Sequence, residues 1–308
     1  MPVDRSMMLS ENWGDLLDPR FSKIYDTEYK ERINNAMVPM LFKQQGVSDS
    51  FYKVSGMGGF SDLQDFAGSI TYDAPSQLYD TTFTFPEKAL GFKIARKLND
   101  DKLFGMMDGK PRGLAVAVAR TEEKLGAEIW NGSFTTVHPT GHEGGDGVAL
   151  CSSSHPYSPD DATTQDNSGT TSFSATAVEA TRRIGFTDIL TDRGELAEVN
   201  YDTILVPVAL EEDAYEIINS KGKVETANNN VNFHYGRYKL AVWARLASSA
   251  NWWMIDSGLA RNFFYAFSRV APEFEYDRDF DTKASKWSVY MRKSCGYADW
   301  RPVYGHVV

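Results

Sequence analysis

The amino-acid sequence predicts an α+β fold, in which mixed strands surround two or three helices. The longest helix-competent segment, residues 111–131, has strand-rich sequence on both sides. The strands do not alternate regularly with helices, so a doubly wound parallel sheet is not indicated. With a rise of 1.5 Å per residue, this helix would span about 30 Å, which is enough to brace a sheet.

The composition indicates a globular protein with an acidic balance. Of its 308 residues, 42% are apolar and 13% are aromatic, which provides a core for one large domain or two smaller ones. The net charge of −10 argues against a protein that coats DNA through a basic surface, although it does not exclude one that surrounds DNA. Cys151 and Cys295 lie far apart without metal-ligand spacing, which is compatible with a reducing compartment.

No targeting or membrane segment is expected. The first fifteen residues lack the apolar core of a signal peptide. A membrane-spanning helix needs a run of about 18 apolar residues, and the sequence contains none.

The first hundred residues predict an arm followed by a projecting hairpin. Residues 1–35 are expected to form a polar, partly helical arm that docks on another surface. Residues 38–98 are expected to be strand and turn, with a glycine cluster at 56–59 forming a bend. Two strand candidates flank a polar middle that contains phenylalanine and tyrosine, which predicts a long hairpin-like excursion. The apolar face changes parity at residues 86–88, which predicts a bulge or a kink.

The central helix is predicted from its periodicity. Its apolar positions recur at steps of three and four and share one face: Leu114, Val118, Thr121, Leu125 and Ile129. Pro111 suits the first turn, and the Asn-Gly pair at 131–132 can end the helix. An ordinary core helix is the alternative interpretation of the same pattern.

The middle of the chain predicts a long loop followed by short elements. Residues 132–171 are rich in Gly, Ser, Thr and Asp and are expected to form a surface loop. A helix is predicted over 172–184, with Thr176 and Glu179 as a capping box and Gly185 as its stop. Residues 201–210 predict a buried strand in which Pro207 indicates an edge or a bulge. A short helix follows from residue 211, where three acidic side chains suit its positive end.

From residue 232 the sequence becomes β-rich again. Strand candidates lie at 238–246, 251–256, 263–270 and 287–292, with turn-forming residues such as those at 256–258 between them. The last residues, from 292 to 305, are expected to form a closing strand pair.

Motifs for catalysis or metal binding are weak. Residues 56–61 lack the last glycine of the dinucleotide fingerprint and do not open a helix. His138 and His142 are four apart, but the intervening proline and glycine oppose helical presentation to zinc. Glu273 and Glu275 could form a carboxylate pair for glycoside hydrolysis, although alternating strand positions more often form a solvated face. We therefore predict no catalytic residue, no metal site and no cofactor.

The C-terminal stretch 245–305 carries an ordered set of aromatic, charged and glycine residues. They are Trp252, Trp253, Asp256, Arg269, Pro272, Glu273, Arg292, Gly296, Tyr297, Asp299, Trp300, Arg301, Tyr304 and Gly305. In order and spacing, this stretch resembles the major capsid proteins of tailed phages, in particular the Mu-like phage major head subunit family. Upstream, the likeness is architectural, because an arm, an extended loop, a long helix and an α+β domain follow in the family's order.

The resemblance implies the tailed-phage major capsid fold, also called the Hong Kong ninety-seven type. It implies an N-terminal arm at 1–49, an extended loop with its base at 50–100, and a peripheral domain with the spine helix at 101–134. The axial domain would occupy 135–258, and the peripheral domain would be completed by return strands at 259–308. Some family members crosslink through a lysine on the extended loop, but no lysine lies between Lys53 and Lys88 here.

The resemblance also implies a shell subunit without catalytic activity. It would assemble with itself through pentamers and hexamers into an icosahedral shell around double-stranded DNA, with no sequence-specific DNA binding. Separate scaffolding, portal and cement proteins are implied partners, and the implied location is the virion, assembled in the host cytoplasm. Candidate intersubunit contacts on the extended loop are Phe60, Phe66, Tyr72 and Tyr79. Two alternatives remain: an encapsulin-like compartment shell, and a carbohydrate-active enzyme that uses Glu273 and Glu275.

Overall fold

The structure, a computed structural model, describes residues 12–66, 68–70, 72–95, 104–135, 144–222, 230–282 and 284–308. The helices are α1 (Asn12–Asn34), α2 (Val38–Leu41), α3 (Phe104–Met107), α4 (Gly109–Asn131), α5 (Ala175–Thr187), α6 (Glu211–Asn219) and α7 (Ser257–Phe263), with a 3₁₀ turn at Val208–Leu210. The strands before α5 are β1 (Lys43–Gly46), β2 (Phe51–Met57), β3 (Gln77–Thr84), β4 (Glu87–Ile94), β5 (His155–Ser158), β6 (Asp161–Gln165) and β7 (Ser168–Gly169). Those after it are β8 (Thr203–Val206), β9 (Lys239–Val242), β10 (Trp252–Ile255), β11 (Phe264–Arg278), β12 (Ser285–Tyr297) and β13 (Val303–His306).

Two larger sheets organise these elements. The first has the strand order β1-β11-β12-β4, and the second has the order β7-β13-β10-β8-β9. Strands β2 and β3 form a two-stranded sheet of their own, as do β5 and β6. Helices and mixed sheets therefore alternate irregularly along the chain, and the predicted α+β class is confirmed.

Helix α4 is the predicted central helix, and it begins two residues earlier than expected, at Gly109. Its apolar face is buried, and Trp130 near its end stacks on Phe264 of β11 with ring centroids 5.7 Å apart. Gly126 allows α2 to approach closely, because a Cβ there would lie 2.5 Å from Cγ2 of Val38. Trp130 also meets Trp253 of β10 edge-on at 5.9 Å between ring centroids, so the helix links the first sheet to the core of the second.

Helix α1 packs against the first sheet of its own chain. Phe21 is fully buried and meets Trp287 of β12 edge-on at 5.0 Å between ring centroids. One turn later, Tyr25 stacks on Phe274 of β11 at 4.9 Å. The predicted docking of the arm therefore occurs, for the residues described, within the same subunit.

The second sheet surrounds the main core. All four residues of β10 are buried, and β10 pairs antiparallel with both β13 and β8. The expectation that Pro207 marks an edge or a bulge is wrong, because β8 is an interior strand between β10 and β9. Pro207 comes directly after the last residue of β8, where the chain leaves the sheet and a backbone donor is no longer needed.

The ends of α5 differ from the predicted ones. Ser174 is the N-cap, and its Oγ accepts a hydrogen bond from the Ala177 amide at 3.2 Å, so the Thr176–Glu179 capping box is wrong. Gly185 lies inside the helix, and a Cβ there would lie 2.5 Å from the Val199 carbonyl oxygen. This glycine therefore serves close packing and does not stop the helix.

Two C-terminal expectations also need correction. The predicted turn at 256–258 opens helix α7, since Asp256 Oδ1 accepts hydrogen bonds from the amides of Gly258 and Leu259, both at 2.9 Å. Strands β12 and β13 do not form a closing pair. They belong to different sheets, because β12 pairs with β11 and β4, whereas β13 pairs with β10 and β7.

The expected surface loop at 132–171 is largely packed where it is described. Leu150 and Cys151 are buried, and β7 joins the edge of the second sheet. Asn167 supports this irregular backbone, because its amide nitrogen donates to the carbonyls of Leu150 at 2.8 Å and Val303 at 3.0 Å. Side-chain hydrogen bonds of this kind cannot be predicted from the amino-acid composition of a segment. Residues 136–143 lie outside the described part.

Candidate assembly surface

The extended loop stands on a short hairpin stem. Strand β2 pairs antiparallel with β3. The pairing begins where Phe51 lies opposite Thr84 and ends where Met57 lies opposite Gln77, and the Gly58 amide then donates to the Ser76 carbonyl at 2.8 Å. Beyond this point, the described residues of 59–75 form no helix or strand. The predicted hairpin-like excursion is confirmed.

The predicted change of apolar face at 86–88 marks the root of the loop. Strand β3 ends at Thr84 and β4 begins at Glu87, and the two strands belong to different sheets. Arg292 spans this crossing, because its Nε and Nη2 both donate to the Phe85 carbonyl at 3.2 Å. The parity therefore changes because the chain passes from one sheet to another.

The tip of the loop exposes large apolar side chains. Phe60 is 68% exposed, Phe66 is 76% exposed and Tyr72 is 90% exposed. Leu63 and Ile70, which the sequence analysis did not single out, are also exposed. Three of the four predicted contact residues thus lie exposed on the same loop. Isolated exposed apolar residues are common, but several large ones on a single projecting loop indicate a binding surface.

Tyr79, the fourth predicted contact residue, has a different environment. It lies on β3 and is half-buried, and its hydroxyl donates to the Ser158 carbonyl at 2.9 Å. Burial raises its pKa, so the hydroxyl remains a donor. Tyr79 therefore fastens the stem to the β5–β6 hairpin of its own chain.

The two arms of the loop are tied together by a carboxylate. Asp73 on the returning arm accepts hydrogen bonds from both the amide and the hydroxyl of Ser61 on the outgoing arm, each at 2.9 Å. These bonds, and then the charge of Arg193, hold the pKa of Asp73 below its usual value. The loop is thus closed by an ionised side chain at neutral pH.

A cleft of about 520 Å³ lies where the stem meets helix α4, the spine helix of the implied fold. Phe85 and Leu125 contribute apolar lining, and Lys88, Arg292 and Glu128 contribute charge. Oε2 of Glu128 is buried there without a hydrogen-bond partner, and burial raises the pKa of this carboxyl. The cleft can accept a donor group from another molecule at this point.

The sequence analysis weighed two carboxylates for catalysis and two histidines for metal binding. Glu273 and Glu275 lie exposed on β11 and do not line the cleft beside helix α4, which agrees with a solvated strand face. Among those residues, no group of three or more His, Cys, Asp or Glu side chains could hold a metal ion. His138 and His142 lie outside the described part. No described helix is long and apolar enough to cross a membrane.

Comparison with protein families gives a match over most of the chain. The family model described as phage capsid protein matches residues 79–305.

The chain belongs to the phage capsid protein family.

Solved structures support the same fold for this capsid protein. It is similar to the capsid of an empty GTA particle, with 12% identity, a TM-score of 0.56, and 88% of this chain and 89% of that chain covered. The virus-like particle from Pyrococcus furiosus matches with 7% identity and a TM-score of 0.55, over 92% of this chain and 98% of that chain. The mature capsid of bacteriophage PhiM1 matches with 10% identity and a TM-score of 0.54, over 88% and 86%. No curated protein matches the chain.

These matches confirm the tailed-phage major capsid fold and the role of a major capsid shell protein. The family and the fold imply a structural role, and neither favours the encapsulin-like or carbohydrate-active alternatives. Membership of the Mu-like group within the family stays a prediction. The family match begins at residue 79 and therefore extends well upstream of the C-terminal stretch on which the resemblance was based.

Proposed function

We propose that this capsid protein assembles through pentamers and hexamers into an icosahedral shell that encloses double-stranded DNA. The observation that carries the proposal is the exposed apolar tip of the extended loop. Covering apolar surface stabilises an assembly by about 25 cal/mol per Å² removed from water. A second copy of this chain, lying beside the first in a shell, is the covering surface that the family's role supplies.

The contact would be heterologous, because a tip on one subunit would meet a different surface on the next. Contacts of this type close into rings when the rotation between subunits permits. Phe60, Phe66 and Tyr72 are the proposed anchors of the tip, since aromatic side chains bury large areas at low entropic cost. Tyr79 would act at the stem, where it sets the position of β3. Each contact can be weak, because many act together in a closed shell.

The remaining strand edges offer further places for pairing between subunits. Strand β4 is an edge of the first sheet, and β9 is an edge of the second. An edge strand presents unpaired backbone donors and acceptors, which a strand from a neighbour can complete. We include β-augmentation at these edges in the proposed assembly.

We propose the implied regional boundaries for this chain: 1–49 as the arm, 50–100 as the extended loop with its base, 101–134 and 259–308 as the peripheral domain, and 135–258 as the axial domain. The two larger sheets support this division. The first sheet, with β11 and β12, falls mainly in the peripheral domain, and most strands of the second sheet fall in the axial domain.

The other partners follow from the shell role. A separate scaffolding protein, a portal and a cement protein would act on the shell, which would be assembled in the host cytoplasm and located in the virion. Double-stranded DNA would be enclosed without sequence-specific contacts. The net charge of −10 supports weak adhesion of packaged DNA.

The experiment replaces the three exposed aromatics together, as Phe60→Ser, Phe66→Ser and Tyr72→Ser. The expressed wild-type chain should sediment as large particles that are visible by negative-stain electron microscopy. The triple variant should remain as small species with an unchanged thermal unfolding midpoint, because these side chains add little to the subunit's own core.

The matched control is Val208→Ser, which removes an exposed apolar side chain away from the loop. It should assemble as the wild type does. Normal particles from the triple variant would contradict the proposed function.

A further inference from the structure

A surface turn of the same chain grips the neck of the extended loop. Arg193 donates from Nε to the Gly59 carbonyl at 3.2 Å and from Nη2 to the Ala74 carbonyl at 3.2 Å. Asp192, next to it, accepts a hydrogen bond from the Gly59 amide at 3.1 Å. Gly59 lies on the outgoing arm of the loop and Ala74 on the returning arm. Asp192 and Arg193 together therefore hold both arms at the base of the loop.

Charge strengthens this grip. Nη2 of Arg193 lies 3.5 Å from Oδ1 of Asp73, the carboxylate that ties the two arms together. The Asp192 side chain is only 7% exposed, and the Arg193 side chain is 33% exposed. Hydrogen bonds with an ionised partner are stronger than neutral ones, and reduced contact with water weakens their screening.

The turn that carries the pair is itself fixed to the body. The side-chain amide of Gln165 bonds both the amide and the carbonyl of Leu190, at 2.8 and 3.2 Å. Arg301 also donates to the Leu190 carbonyl at 3.0 Å. Leu190 bridges Leu196 across the turn, and Gly194 takes a φ of +82° that favours glycine. The turn that carries Asp192 and Arg193 is therefore fixed to the body of the subunit.

The loop sequence accommodates Asp192 through one glycine. A Cβ at Gly58 would lie 2.4 Å from Oδ2 of Asp192 and 2.7 Å from Oγ of Ser76. A Cβ at Gly59 would lie 3.6 Å from Oδ1 of Asp192, which is ordinary contact. The position of Asp192 therefore requires a glycine at residue 58 but not at residue 59.

We propose that Asp192 and Arg193 form a positioning clamp that fixes the direction in which the extended loop leaves the subunit. This inference rests on the proposed function, since the clamp matters through the contact that the tip makes with the next copy. Holding the two arms reduces the conformational entropy lost when the tip docks, so the contact forms more readily. Without the clamp, the tip samples many directions and closed shells form less often.

The test compares Arg193→Ala with Arg183→Ala in the full-length chain. Arg183 lies exposed on α5, and its side chain makes no hydrogen bond or ion pair with the described residues. Hydrogen exchange of the Gly59 amide and of the amides that follow it, up to Ser76, is measured in the unassembled fraction, and particle yield is measured by sedimentation. Arg193→Ala should raise exchange at the Gly59 amide by about tenfold and lower the yield of closed particles, whereas Arg183→Ala should match the wild type.

A second pair of variants tests the clamp without removing its charges. Gly58→Ala should displace Asp192 and reproduce the effect of Arg193→Ala, and Gly59→Ala should leave exchange and yield unchanged. Chymotrypsin offers an independent readout, because the exposed tip contains Phe60, Phe66 and Tyr72 as cleavage sites.

Two results would overturn the clamp. One is unchanged exchange at 58–76 in both Arg193→Ala and Gly58→Ala. The other is faster exchange with a normal yield of normally shaped particles. Neither result bears on the proposed function, which the aromatic triple variant tests separately.

Discussion

The hydroxyl of Tyr29 on α1 donates to Oε1 of Glu122 on the spine helix at 2.8 Å, across 93 residues of chain. The same oxygen accepts from Nζ of Lys293 on β12 at 2.7 Å. Burial and the charge of Glu122 raise the pKa of Tyr29 well above its usual value, so the hydroxyl stays protonated. One carboxylate therefore joins the arm helix, the spine helix and the first sheet.

Tyr29→Phe should lower the free energy of unfolding by about 1–2 kcal/mol, because a hydrogen bond to a largely buried charged group is lost while the ring packing remains. Chemical denaturation of the unassembled subunit measures this change. Tyr215→Phe is the control, since Tyr215 is exposed on α6. Equal unfolding midpoints for Tyr29→Phe and the wild type would show that the arm is not held by this network.

Two glycines of the spine helix should respond oppositely to alanine. At Gly126 a Cβ would lie 2.5 Å from Val38 and 3.2 Å from Trp243, so Gly126→Ala should destabilise by about 1–3 kcal/mol through overpacking. At Gly113 a Cβ would meet nothing within 4 Å, so Gly113→Ala should stabilise by about 0.5–1 kcal/mol through helix propensity. Thermal unfolding of both variants gives the comparison, and a shift of the same sign in both would contradict the packing described here.

His306 should make the subunit less stable in acid. Its ring stacks on Trp252 with centroids 4.0 Å apart, Nε2 hydrogen bonds with Oγ1 of Thr181 at 2.8 Å, and Nδ1 accepts from the Thr171 amide at 3.4 Å. Burial lowers the pKa of His306 to about 4. Between the usual value near 6.5 and this one, the unfolded chain binds more protons than the folded chain. Stability should therefore fall as pH drops from about 6.5 to 4, by about 3 kcal/mol, and this contribution should change no further below pH 4.

The variant His306→Gln isolates this contribution. Its unfolding free energy should depend less on pH than that of the wild type between pH 6.5 and 4, as measured by chemical denaturation at each pH. Identical slopes for the two proteins would contradict a buried neutral imidazole at this position.

Both thiols should be unreactive in the folded chain. Cys151 and Cys295 are buried, and burial raises the pKa of the Cys295 thiol to about 12 and that of the Cys151 thiol still further. Because the thiolate is the reactive form, a disulfide reagent at pH 8 should label neither residue until the protein is denatured. Ser69→Cys, on the exposed tip, is the positive control and should react at once. Rapid labelling of the native wild-type protein would contradict this burial.

The sequence predicted those features that depend on local pattern. The spine helix was predicted from apolar residues that recur at helical spacing, and these residues form its buried face. The extended loop was predicted from two strand candidates around a polar middle. The features that were missed depend on distant partners. Gly185 reads as a helix stop until Val199 lies beside it, and the sequence analysis did not single out Asp192 and Arg193, because their partner Gly59 is distant in the sequence. Leu63 and Ile70 were missed because the sequence analysis considered only the aromatic residues of the loop.

The most direct test of the central claim, that the extended loop is completed by another copy of the chain, is a cryo-electron microscopy reconstruction of particles formed by the expressed protein. We expect closed shells in which residues 58–76 of each subunit are held by the Asp192–Arg193 clamp at their base and extend onto a neighbouring subunit. Phe60, Phe66 and Tyr72 should be covered there. Shells in which these three side chains stay exposed to solvent, or a chain that remains monomeric under assembly conditions, would contradict it.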